Sequence, residues 1–97
     1  MIFESKVYEI SLREDCDNGR DFVVGYFLLE ETGELTKHIP FYKYGIKLEK
    51  RFPGESVCEC SYRPNIAATR DGVSDLIRVL YQNKVTPIAL DDVLADI

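Results

Sequence analysis

The chain has 97 residues, a formal net charge of −5, 45% hydrophobic residues and 30% charged residues. These proportions are typical of one small globular domain, and they argue against a disordered chain or a membrane protein. The acidic balance disfavours general binding to nucleic acid or anionic membranes, because both surfaces would repel the molecule. Residues 1–97 are therefore expected to form a single domain. The start of the chain lacks the pattern of a signal peptide, so a cytoplasmic location is expected.

The first predicted element is a strand in which apolar and polar residues alternate. Ile10 and Leu12 belong to the apolar series, which is typical of a strand with one buried face. The dipeptide Asn18-Gly19 then predicts a tight hairpin turn, because both residues tolerate positive φ. A two-residue turn at this place would pair Ile10 with Phe27.

The second predicted strand, residues 22–29, is apolar on both faces. Such a run is typical of a central strand that is covered on both sides. The helices predicted from the rest of the chain are too short to cover both faces. The second face is therefore expected to be covered by loops or by another copy of the chain. Residues 31–34, with Gly33, then predict a chain reversal, followed by extended segments that are interrupted near Pro40.

The next hairpin is predicted at residues 52–55, which include a Pro-Gly pair. A three-residue loop here would pair Leu48 with Cys60 and keep apolar side chains opposite each other. In that register three residues of the last strand face inward, namely Cys58, Cys60 and Tyr62. The pattern predicts an antiparallel sheet of about four to five strands in the N-terminal two-thirds of the chain.

Past Pro64 the hydrophobic period changes from two to 3.6, which predicts two helices. Thr69 is positioned to cap the first helix, and Asn83 to end it in the left-handed conformation, with Val85 folding back on the last turn. Thr86-Pro87 repeats the start signal for the second helix. Each helix has one apolar stripe, so we predict an αα-hairpin packed on one sheet face and an α+β fold.

The only cysteines and the only histidine are the candidate metal ligands: Cys16, His38, Cys58 and Cys60. Together they have the composition of a Cys3His zinc site, but zinc knuckles space their cysteines by two to four residues on a tight turn. One intervening residue within a strand instead favours reduced thiols that pack in the core. No metal or cofactor is therefore expected. His38 has no nucleophile motif or orienting carboxylate beside it, which argues against an enzyme.

Residues 37–51 form a basic segment, with five Lys or Arg side chains and one Glu. Aromatic residues are interleaved with the charges, a combination that single-strand nucleic-acid binders use. The same lysines could instead keep an exposed strand soluble or contact an acidic partner. The candidate interaction residues are Lys37, Lys43, Tyr44 and Lys47.

Two segments carry a resemblance to a known family. They are Tyr44-Gly45-Ile46, which begins a strand, and residues 83–94, which contain the Thr-Pro helix start. In these segments, in length and in its order of strands and then helices, the chain is similar to a small uncharacterised family from anaerobic Gram-positive bacteria, a domain of unknown function. The resemblance implies no activity, cofactor or catalytic residue.

The sequence favours a non-catalytic cytoplasmic module for protein interaction or regulation, with a homo-oligomer or another protein as its partner. The first alternative is nucleic-acid binding through residues 37–51. The second is a small metal-binding protein or enzyme that uses Cys58, Cys60 and His38. No apolar run approaches the length of a membrane span, so no membrane partner is expected.

Overall fold

A computed structural model of the chain describes residues 2–14, 19–36, 39–56 and 58–95. The strands are β1 (Ile2–Arg13), β2 (Asp21–Thr36), β3 (Ile39–Arg51) and β4 (Cys58–Ala67). Helix α1 (Arg70–Gln82), a 3-10 turn (Pro87–Ala89) and a short helix α2 (Leu90–Ala95) follow. The strands form one antiparallel sheet in the order β1-β2-β3-β4. The predicted α+β class is confirmed, and the sheet has four strands, the lower of the two numbers predicted.

The hydrophobic core lies between α1 and one side of the sheet, which we call the helix face. Every second side chain of β2 from Phe22 to Leu28 points into it, and the predicted apolar stripe of α1 meets them there. Burial of each aliphatic side chain in this core stabilises the fold by about 1.5 to 3 kcal/mol relative to leaving it exposed. The buried members are Phe22, Val24, Tyr26, Leu28, Ile46, Leu48, Val73, Ile77, Leu80, Val85 and Leu90.

Only one of the two predicted threonine caps forms. The hydroxyl of Thr69 accepts a hydrogen bond from the N–H of Gly72 at 3.3 Å, so the predicted start of α1 is confirmed. Thr86 makes no such bond, and its predicted capping role is wrong. Pro87 nevertheless opens the 3-10 turn, where its missing N–H removes no hydrogen bond.

The end of α1 is a Schellman motif, one residue later than predicted. Asn83 was predicted to be left-handed, but its φ is −95°. The left-handed residue is Lys84, with φ of 54°. The N–H of Val85 donates to the carbonyl of Leu80 at 3.0 Å, which turns the chain back onto the core as predicted.

The hairpin between β1 and β2 does not have the predicted register. Ile10 pairs with Val24 rather than with Phe27. The N–H of Glu14 donates to the carbonyl of Arg20 at 3.0 Å, so the connection is longer than a two-residue turn. The Asn of the predicted Asn-Gly turn lies outside the described residues. The observed register places the apolar side chains of β1 beside the residues of β2 that face α1, whereas the predicted one would have placed them beside the opposite side of β2, which is also apolar.

The predicted chain reversal near Gly33 is wrong, because β2 and β3 continue past this point as one long ladder. Gly33 pairs with Phe41, and Glu31 pairs with Lys43. β3 continues through Pro40 as one strand, and the predicted interruption takes the form of a register shift in the ladder, between Glu34 and Thr36. Pairing along the ladder, including an opposite-charge pair, overrides the local turn preference of the Glu-Thr-Gly-Glu segment.

The hairpin between β3 and β4 is one residue out of the predicted register. Leu48 pairs with Ser61, and Glu49 pairs with Cys60. The connection therefore has one residue more than the predicted loop. Since side chains alternate along a strand, this shift turns every side chain of β4 to the other face. The prediction that three of them point into the core is wrong: Cys58, Cys60 and Tyr62.

β4 passes so close to Gly45 of β3 that no side chain fits there. A Cβ atom at this position would lie 2.4 Å from the carbonyl oxygen of Arg63 and 2.6 Å from the Cα of Pro64. The ladder between β3 and β4 also shifts at this point. The close approach of two backbones therefore requires glycine at the centre of the Tyr-Gly-Ile sequence of β3.

Candidate functional site

The sheet side opposite the helix face carries most of the chemically active side chains, and we call it the polar face. Strand pairing and alternation place on it equal numbers of carboxylates and basic side chains from the first three strands. β4 adds two thiols and a phenol. The polar face includes Glu4, Lys6, Glu9, Val23, Gly25, Phe27, Leu29, Glu31, Lys43, Lys47, Glu49, Arg51, Cys58, Cys60 and Tyr62.

Lys47 lies near the centre of the polar face and is paired within the sheet. Its Nζ atom is 3.1 Å from Oε2 of Glu4 and 3.8 Å from Oε2 of Glu49. Burial on its own would lower the pKa of Lys47, but the hydrogen bond and charge of Glu4, together with nearby acidic groups, raise it above the usual value. Lys47 therefore stays charged at neutral pH, and its charge is balanced by its neighbours.

The apolar residues of β2 on the polar face are covered by the strands beside it. Nζ of Lys6 lies 5.8 Å from the centre of the Phe27 ring, and Nζ of Lys47 lies 5.1 Å from it. These are cation–π distances. Leu29 is only 2% exposed, and Gly25 is buried. The cover that was predicted to come from loops or another copy is thus provided in large part by neighbouring strands.

The basic segment is divided between the two faces of the sheet. Arg51 lies on the polar face, where its guanidinium is 2.8 Å from Oε1 of Glu49. Lys50 points to the helix face, and its Nζ lies 4.4 Å from the centre of the Phe22 ring. Alternation along β3 therefore separates the cations that are neighbours in sequence.

The four candidate interaction residues are not gathered at one place. Lys43 is exposed on the polar face, whereas Tyr44 packs against the core on the helix face. Lys47 is paired with glutamates on the polar face. Lys37 lies outside the described residues. The three described members thus occupy two faces of the sheet.

Two of the four candidate metal ligands meet on the polar face, together with a carboxylate that was not predicted. The Sγ atoms of Cys58 and Cys60 are 3.5 Å apart. The two sulfurs and a carboxylate oxygen of Glu49 all lie within 4.8 Å of one another. Cys16 and His38 lie outside the described residues. Sequence reasoning missed Glu49 because only the correct register places it opposite Cys60.

The thiols of this group are free, and Cys60 is not activated as a nucleophile. Burial raises the pKa of the Cys60 thiol, and its contact with Cys58 and the charge of Glu49 raise it further, while Lys47 acts in the opposite direction. Reactive cysteines need a lowered pKa, because the thiolate is the attacking species. The environment of Cys60 therefore keeps its sulfur protonated at neutral pH.

One edge of the sheet, β4, is protected by its own sequence. Pro64 lies within the strand and has no N–H to donate. Asn65 follows with φ of 60°, which interrupts a flat edge. Ser61 donates to the carbonyl of Pro87 at 2.6 Å, so the C-terminal segment is also attached to this strand. These features hinder the addition of another strand at β4.

The other edge, β1, exposes apolar side chains and has no proline. Ile2 is 42% exposed, Phe3 is 52% exposed and Val7 is 42% exposed. The ladder to β2 has an irregularity between Lys6 and Tyr8, at Val7. Apart from this irregularity, β1 is thus the edge whose backbone and apolar groups are open to a partner.

Comparison with known proteins gives a family but no activity. Neither a curated protein nor a solved structure matches the chain. Among the described residues, no helix has the length and apolar character needed to cross a bilayer. The model of a family described as a family of unknown function, DUF6514, matches residues 5–97, which is nearly the whole chain. The predicted membership of a family without a known activity is therefore confirmed, and the chain belongs to DUF6514.

Proposed function

We propose that the chain is a non-catalytic protein-interaction module that binds through the free edge of β1, and that its partner is a second copy of the chain. The observation that carries the proposal is the run of exposed apolar side chains on this edge strand. An edge strand also presents unpaired backbone N–H and C=O groups, which are a template for pairing with another strand.

The sequence of β1 is compatible with self-pairing in one antiparallel register. If Ser5 lies on the two-fold axis, Glu4 of one chain faces Lys6 of the other, which keeps like charges apart while both side chains retain the ion pairs that they make within their own chain. The same register places Phe3 opposite Val7. Apolar pairs across two strands each contribute roughly 0.2 to 1 kcal/mol. In a two-fold symmetric dimer each of these pairs occurs twice, which favours this arrangement over an asymmetric one.

The charge distribution gives less support to nucleic-acid binding. Two of the three described cations of the basic segment on the polar face, Lys47 and Arg51, are paired with Glu49, and Lys47 also with Glu4. A phosphate backbone would have to displace these carboxylates before it gained the same cations. Affinity for nucleic acid comes mainly from such phosphate contacts.

The remaining features of the proposal are a single domain over residues 1–97, an αα-hairpin formed by the C-terminal helices, and a cytoplasmic location. The match of one family model to residues 5–97 supports the single domain. Burial of Leu90 against the core supports the hairpin. The free thiols of Cys58 and Cys60 support a reducing compartment, because oxidising ones favour disulfides.

Sedimentation equilibrium tests the proposed dimer. One pair of added strands is a small interface, below the roughly 1,200 to 2,000 Å² of stable complexes, so we expect weak association that requires high protein concentration. The mass should rise with concentration from 11.1 kDa towards twice that value. Phe3→Lys and Val7→Lys should each keep the protein monomeric, because they place a charge in the apolar part of the interface.

Ile88→Lys is the matched control, because Ile88 is an apolar residue that is 86% exposed in the 3-10 turn rather than on β1. It should dimerise like the unmodified chain. A constant mass of 11.1 kDa up to millimolar concentration would contradict the proposal. Equal loss of association in Ile88→Lys and Phe3→Lys would show that β1 is not the interface.

A further inference from the structure

We infer that Glu49, Cys58 and Cys60 form a binding site for a thiophilic divalent metal ion of the Zn²⁺ class. This site lies on the polar face and is independent of the edge used by the proposed dimer. The inference depends on the observed register, which brings the carboxylate and both sulfurs to one place.

The distances in this group suit a tetrahedral ion. Zn²⁺ binds thiolate sulfur at about 2.3 Å, so two sulfurs in a tetrahedral site are roughly 3.8 Å apart. The observed separation between the Sγ atoms of Cys58 and Cys60 is 3.5 Å. A carboxylate oxygen of Glu49 lies within 4.8 Å of both sulfurs. Little rearrangement is therefore needed for binding.

The backbone holds the three ligands in fixed relative positions. Glu49 is the direct cross-strand neighbour of Cys60 in the ladder between β3 and β4. Cys58 is two residues from Cys60 in the same strand and therefore lies on the same face. Cys60 is exposed, so an ion can enter from solvent and keep a water molecule as the fourth ligand.

The charges around the group also favour a bound dication. Binding releases the protons of both thiols, and the two thiolates and one carboxylate then carry three negative charges, one more than the ion neutralises. Arg51 beside Glu49 balances this excess, while Lys47 is balanced by Glu4. Arg51 contacts Oε1 of Glu49 at 2.8 Å. Oε2 lies 3.8 Å from Lys47, so it is the less tightly paired of the two oxygens and the one that would bind the ion.

The donor set selects the type of metal. Thiolate ligands favour soft and borderline ions such as Zn²⁺, whereas Mg²⁺ and Ca²⁺ require sites made of oxygen ligands. A set of two sulfurs and a single carboxylate therefore excludes hard cations such as Mg²⁺ and Ca²⁺ from this site.

Titration with Co²⁺ under anaerobic, metal-free conditions tests the site, because Co²⁺ replaces Zn²⁺ and its sulfur-to-metal charge-transfer absorption reports thiolate ligands directly. All proteins carry Cys16→Ser, which removes the third thiol. We expect one Co²⁺ per chain with a charge-transfer band, and displacement of Co²⁺ by Zn²⁺. Cys58→Ser and Cys60→Ser should each lose the two-thiolate band, and Glu49→Gln should weaken binding about tenfold or more.

Glu59→Gln is the matched control, because Glu59 lies between the two cysteines in sequence but pairs with Lys50 on the opposite face. It should bind Co²⁺ with unchanged affinity. Thermal unfolding of the apo variants establishes that each one is folded. The inference is overturned if the Cys16→Ser protein shows no thiolate band, if the band persists without Cys58 and Cys60, or if Glu59→Gln weakens binding as much as Glu49→Gln does.

Discussion

Tyr26 connects the central strand to the segment that follows α1. Its side chain is fully buried, and its hydroxyl donates a hydrogen bond to the carbonyl of Val85 at 2.8 Å. Its ring meets Tyr81 edge-on, with 5.8 Å between ring centres. Burial, with a smaller contribution from Tyr81, raises the pKa of Tyr26 to about 12. The neutral hydroxyl is therefore part of the native packing.

Replacing Tyr26 with Phe should have two measurable effects on the free energy of unfolding. At pH 7 the variant should lose about 1 to 3 kcal/mol, because the carbonyl of Val85 is left without a partner. Above pH 10 the unfolded chain ionises Tyr26 and the native state does not, so its stabilising contribution is present below pH 10 and is lost between pH 10 and about 12. Tyr26→Phe cannot ionise at this position, so it should not show this fall in the free energy of unfolding. In the unmodified chain the fall amounts to at most about 2 to 3 kcal/mol.

Urea unfolding between pH 7 and 12 measures this difference. Tyr62→Phe is the control, since Tyr62 is 40% exposed on the polar face. It should match the unmodified chain at pH 7. Parallel alkaline profiles for Tyr26→Phe and the unmodified chain would contradict the assigned role of burial.

The candidate site shows why single residues were harder to predict than elements. The sequence indicated Cys58 and Cys60 as a pair on one face of a strand, and the structure agrees. It placed that face inward, whereas both sulfurs point to the polar face. Glu49 could be recognised only from its cross-strand neighbour, and that neighbour depends on the length of a loop.

At the scale of elements, local signals were reliable where one chemical group decides the structure. Thr69 starts α1, and Val85 turns back onto Leu80, as their sequence positions indicate. Signals that compete with long-range pairing were less reliable. The polar segment around Gly33 reads as a turn, yet the ladder to β3 continues through it. Both hairpin registers were missed, by three residues between β1 and β2 and by one between β3 and β4, and a shift by an odd number of residues exchanges the faces of one strand relative to the other.

The two threonines that precede the C-terminal helices give a test of this distinction. Thr69→Ala removes a side chain that accepts the N–H of Gly72, and it should lower the free energy of unfolding by about 1 kcal/mol. Thr86→Ala removes no cap bond and should change stability by less than about 0.5 kcal/mol. Chemical denaturation of both variants makes the comparison, and an equal loss in the two would disprove the assignment of the cap.

The whole molecule is elongated, with extents of 57 × 30 × 18 Å, because β2 and β3 form a long ladder while the helices cover one side. The order of strands and then helices could be predicted from periodicity. The side chains that cover the apolar residues of the polar face could not be predicted, because they depend on which charged side chains of three strands become neighbours. Those ion pairs are exposed or half-buried, and each contributes at most about 1 kcal/mol.

This arrangement moves the expected contact with a partner from the sheet face to the sheet edge. Phe27 and Leu29 are covered by side chains of the same sheet, whereas Phe3 and Val7 remain exposed on β1. The charge-balanced polar face has no excess charge with which to attract nucleic acid. The edge of β1 is thus the surface at which a second copy gains both backbone hydrogen bonds and apolar contact.

Residue-resolved amide hydrogen exchange at low and high protein concentration tests this account most directly. If two copies pair through β1, raising the concentration should slow exchange at alternate amides near Ser5, those whose N–H groups point away from β2, and should leave the amides of β4 unchanged. If the amides of β1 exchange at the same rate at every concentration, or if those of β4 gain the protection instead, β1 is not the binding edge.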